Sequence, residues 1–111
     1  MRLSLMVFAS VLVATPALAA DCDMHDPGLL ALRHAFDDCS VQTARRLSRG
    51  PDRADDIATA AVTACHQQRT KLEAAIEGCG GWRLAKASIE AVESRVHEDA
   101  VRAAVTARAS R

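Results

Sequence analysis

Tyrosine is absent from this 111-residue chain, and beyond position 20 the only aromatic rings are Phe36 and Trp82. The apolar positions that follow are rich in alanine, which buries little area, so any core built from them is thin. Neither sign of charge prevails, with 14 Lys and Arg against 14 Asp and Glu. That balance does not suggest nucleic acid or an anionic membrane as partner, since both select for clustered positive charge. No apolar run after residue 20 approaches the roughly 20 residues that a bilayer-spanning helix needs. The motifs G-x-S-x-G, H-E-x-x-H and C-x-x-C and the phosphate-binding glycine loop are all missing. The adjacent acids Asp37-Asp38 and Asp55-Asp56 point apart on a helix and read as solvated faces rather than an acid–base pair. The chain is therefore expected to be non-enzymatic, with no catalytic, cofactor-binding or metal-binding residue to name.

What is present starts with Met1-Arg2-Leu3, an uncharged apolar run, Pro16 and the small-residue tail Ala17-Leu18-Ala19-Ala20. A basic start, a short apolar stretch and an A-x-A tail make a secretory signal, cut after Ala19 or Ala20. Residues 1–20 are thus read as a signal peptide and residues 21–111 as a single helical domain, soluble and free of the membrane once the signal is removed. Asp21 stands between the small residues and Cys22, which argues against lipidation. The expected location is periplasmic or secreted.

Cys22, Cys39, Cys65 and Cys79 all follow the signal. An even number in a short exported chain reads as two disulfides. The helical pattern selects the pairing. Asp26-Pro27 is a helix start, with Asp as N-cap and Pro at the first position. Leu29, Leu32, Phe36 and Cys39 then recur at steps of three and four, with Leu47 near the end. Ser48-Arg49-Gly50-Pro51 breaks the pattern, and Asp52 with Asp55 resembles a capping box. A second stripe runs through Ile57, Ala61, Cys65, Leu72, Ile76 and Cys79, closed by Gly78, Gly80 and Gly81. A third comprises Trp82, Ala85, Ile89, Val92, Val96, Ala100 and Ala103. The expected helices cover about residues 27–49, 52–77 and 82–108.

An antiparallel hairpin about residues 50–51 places Cys39 and Cys65 nearly level, at about 1.5 Å of rise per residue. Cys22 precedes the first helix and reaches the far end, where Cys79 lies. The nested pairs Cys39–Cys65 and Cys22–Cys79 follow. Pairs within one helix would have to bridge about 20 Å, against a Cα separation near 7 Å at most. The fold expected is an all-α three-helix bundle, a doubly stapled hairpin with a C-terminal helix.

The segment Asp21-Cys22-Asp23-Met24-His25-Asp26 offers soft and harder ligands that would suit copper. Its spacing matches no strong metal pattern, and an oxidised Cys22 supplies no thiolate. The cluster Arg45, Arg46, Arg49 and Arg53, flanked by Asp52, Asp55 and Asp56, reads as a solvated helix end. Trp82 reads first as a cap on the core near Cys22–Cys79 and second as a candidate partner contact, since Trp is enriched at binding hot spots.

The stretch Phe36-Asp37-Asp38-Cys39, the Gly-Pro turn and Asp56-Ile57-Ala58-Thr59-Ala60-Ala61 leading to Cys65 resembles a hairpin pattern of uncharacterised exported bacterial proteins. The resemblance implies a disulfide-linked helical hairpin and no function. The chain is also similar in size, export and helicity to small acid-stress chaperones and periplasmic lysozyme inhibitors, without their motifs. The functional expectation is a non-catalytic binding protein of the bacterial envelope with an unidentified protein partner. The alternative is a periplasmic metal-binding protein using the segment at 21–26.

Overall fold

The computed structural model describes residues 22–111. Residues 1–21, with the expected signal segment, lie outside the described residues. Three helices follow in order: α1 Pro27–Leu47, α2 Ala54–Ala64 and α3 His66–Ala109, with no strand among the described residues. Gly81, at φ 84°, interrupts α3, so residues 66–80 run one way and residues 82–109 return. The path is up through α1, down through α2 and the first part of α3, and up again.

Local chemistry accounts for the ends. The Asp26 carboxylate accepts hydrogen bonds from the Gly28 and Leu29 amides at 3.0 and 3.3 Å, with Pro27 at the first helical position. Gly81 has the left-handed backbone that only glycine adopts without cost, and it makes the reversal into the last helical segment. Ser48 closes α1, its hydroxyl donating to the Arg45 carbonyl oxygen at 2.6 Å.

Two disulfides hold the hairpin, Cys22–Cys79 with Cα atoms 5.3 Å apart and Cys39–Cys65 at 6.0 Å. This is the nested pairing. Disulfides persist in oxidising surroundings, so the chain belongs outside the reducing cytoplasm. Between the bridges lies one half of the core: Leu29, Phe36, Leu72, Ile76, Ile89, Val92 and Val96. The other half, toward the α1–α2 turn, is almost all alanine, with Ala44, Ala58, Ala61, Ala100 and Ala104 packed around Ile57. No helix is long and apolar enough to cross a membrane among the described residues.

Several expectations are corrected. The second helix does not run unbroken from 52 to 77. It starts at Ala54 behind Arg53, without a side-chain cap from Asp52, and breaks at Cys65. That break has no Gly or Pro beside it and coincides with the covalent tether to Cys39, a constraint that local sequence does not carry. The helix then continues past Gly78 to the reversal at Gly81. Helix α1 stops at Leu47 rather than 49, and Leu47 is exposed. Trp82, placed on the third stripe, is 61% exposed and caps no core, whereas the rest of that stripe from Ala85 to Ala103 is buried.

Candidate functional site

The N-terminal segment determines the first candidate. Residues 22–26 fold as a tight turn before α1: the Asp26 amide donates to the Asp23 carbonyl oxygen at 2.9 Å, and the His25 amide donates to the Asp23 carboxylate at 2.9 Å. Met24 packs against the core and Cys22 is tied to Cys79. Between this segment, the first turns of α1 and the first part of α3 lies an open cleft of about 480 Å³. Its walls are the disulfide, Leu29, Leu32 and Ala75, with Asp23 and Asp26 at the rim.

Gly80 supports this end. A methyl group there would collide with the Leu84 side chain and lie 3.3 Å from Cys22 Cβ. A larger residue there would have to turn the Leu84 side chain aside and press on Cys22. Trp82 stands nearby in sequence but is open to solvent, with the Arg83 guanidinium carbon 5.3 Å from its ring centroid. The candidate partner contact is therefore free to meet another molecule.

Four of the N-terminal segment's side chains other than the cap Asp26 divide between the core and the surface, and Asp21 lies outside the described residues. Cys22 is in a disulfide and Met24 is half-buried against the core, while His25 and Asp23 lie 3.6 Å apart on the exposed surface. His34, His66 and His97 are apart from it, and among the described residues no group of three His, Cys, Asp or Glu side chains could hold a metal ion.

Two side-chain arrangements had no signal in the sequence. In the seam between α1 and α3, Asp37 faces Asp99, and one Asp37 carboxyl oxygen is buried without a hydrogen-bond partner. Burial, then the hydrogen bond and charge of Asp99, then the charge of Asp38, push the Asp37 carboxyl up to about 6, while Arg33 opposes them. Asp37 is therefore not the freely solvated acid expected, although Asp38 is exposed. In the groove between α2 and the last segment of α3, Thr59 Oγ1 lies 3.3 Å from His97 Nε2, and Arg69 joins Glu93 at 2.9 Å and Glu73 at 3.1 Å. Apart from Arg69 and Glu73, an i,i+4 pair within one helix, these groups are separated by 24 to 62 positions, beyond the reach of any periodic pattern.

Compared with protein-family models, curated proteins and solved structures, the chain matches none.

Proposed function

We propose that this chain is a small exported, non-catalytic binding protein of the bacterial envelope, periplasmic or secreted, that receives an apolar segment of a partner protein at its disulfide-closed end. The observation that supports this reading is the cleft of about 480 Å³ walled by Leu29, Leu32, Ala75 and the Cys22–Cys79 bridge. Apolar walls with two acids at the rim suit an apolar side chain followed by a basic one. Burying one large apolar side chain contributes about 1.5–3 kcal/mol before the cost of association. Binding through this cleft alone is accordingly weak and transient, as suits a protein that releases its partners.

The test is NMR with isotope-labelled, fully oxidised protein titrated with short apolar peptides that carry a lysine. Resonance shifts should concentrate at residues 22–32 and 75–84 and shrink in Leu32→Glu. Shifts confined to another face, or no shifts with any peptide, would remove the reading.

A further inference from the structure

We propose that Arg45, Arg49 and Arg111 form an anion site that takes a phosphate-bearing ligand. The site exists only in the folded chain. The up–down–up path returns the end of α3 to the α1–α2 turn, joining arginines more than 60 positions apart in sequence. Arg108 secures the junction. Its Nε donates to the Ser48 carbonyl oxygen at 3.1 Å, and its Nη2 donates to the carbonyl oxygens of Gly50, at 2.8 Å, and Asp52. Arg111 Nη2 donates to the Ser48 hydroxyl at 3.1 Å, which orients one guanidinium and leaves its other donors free.

Between the two helix ends lies a groove of about 410 Å³. Arg45, Arg49 and Arg111 line it, together with Thr106 and Ser110 and the alanines Ala103 and Ala107. No Asp or Glu is among its lining residues. The adjoining groove, which shares Arg45, is lined by Asp37 and Asp99, and Arg102 already holds Asp99 at 3.5 Å. Neither Arg45 nor Arg49 is paired with an acid among the described residues.

A simpler role for these arginines is to balance helix C-termini. Each terminus carries about half a negative charge. Two of them meet here, so one arginine would suffice. The carbonyls at the end of α3 are also covered already, since Ser110 Oγ donates to those of Thr106 at 2.8 Å and Ala107 at 3.4 Å. Three arginines lining one groove exceed that need. Their planar forks match phosphate oxygens two at a time, and three positive charges favour a doubly or more highly charged phosphate over a single carboxylate. The even overall charge conceals this site, because the concentration of arginine arises in space and not in composition.

The experiment is calorimetric titration of the oxidised protein with inorganic pyrophosphate, alongside sedimentation with vesicles of phosphatidylglycerol and phosphatidylcholine in equal parts. Two double variants carry the same loss of charge: Arg45→Gln/Arg49→Gln in the groove, and Arg83→Gln/Lys86→Gln at the other end. All four positions are exposed, so the fold should survive. Saturable pyrophosphate binding is expected, weakened about ten-fold or more by the groove variant and within about two-fold for the control, as for distant screened charges. Binding of pyrophosphate without vesicle binding assigns a soluble phosphate compound. Vesicle binding that pyrophosphate displaces assigns a lipid headgroup at the same site. Equal weakening in both variants, an unaffected groove variant, or no saturable binding of either probe would overturn the proposal.

Discussion

Removal of the disulfides, singly and together, gives the sharpest test of how this thin core is held. The Cys39–Cys65 bridge closes a loop of 26 residues, which in the chain-entropy picture is worth about 3.5 kcal/mol. The Cys22–Cys79 bridge spans 57 residues, but the inner bridge has already shortened that loop to about 31 residues, so its increment is about 3.7 kcal/mol rather than the 4.2 of a solitary bridge. Together they contribute about 7 kcal/mol. A domain of this length has a total stability of about 5–13 kcal/mol. Cys22→Ala/Cys79→Ala and Cys39→Ala/Cys65→Ala should therefore each unfold cooperatively in urea at a lower midpoint. The second pair should lose somewhat more than the loop value, since Cys65 is fully buried and its truncation also leaves a void. The variant lacking all four cysteines should show little or no cooperative transition at 25 °C. A four-alanine variant that unfolds near the wild-type midpoint would refute the reasoning, because the alanine-rich packing would then suffice by itself.

Two glycines should respond with opposite signs in the same urea assay. Gly81→Ala places a side chain at φ 84° and ψ 170° and costs about 1–3 kcal/mol through the backbone alone, since an added methyl there meets nothing within 4 Å. Gly78→Ala, inside the helix and equally unobstructed, gains up to about 1 kcal/mol. Asp37 makes stability depend on pH. Its carboxyl is raised from 3.8 to about 6 in the fold, so the folded state binds the proton more tightly. The contribution is fully present below about pH 4 and is lost as pH rises through 6. Partial solvent access reduces it to about 1 kcal/mol. Urea midpoints should rise between pH 7 and pH 4 from this group, and Asp37→Asn should flatten the profile; an unchanged slope would show that the pair with Asp99 is not coupled to folding.

The sequence by itself determined the all-helical class, the start of the first helix, the turn after it and the pairing of the bridges. Asp26-Pro27, the break at 48–51 and the glycines before Trp82 act within a few residues of the chain. The recurrence of Leu29, Phe36, Ile57, Leu72, Ile76, Ile89 and Val96 follows directly from 3.6 residues per turn. The levels of Cys39 and Cys65 come from helical rise alone, so the nested disulfides could be counted out along two antiparallel rods. Tertiary structure decided everything that depends on how those rods are rotated about one another. Trp82 belongs to the third stripe by spacing, yet beside the reversal at Gly81 it is exposed, since among the described residues none covers it. Cys65 breaks a helix that no local residue would break. Asp37 meets Asp99, and Arg45 and Arg49 meet Arg111, across separations of 60 residues or more. Such encounters are set by the packing of three helices, whose free energy is shared over the whole core and is written in no short stretch of chain.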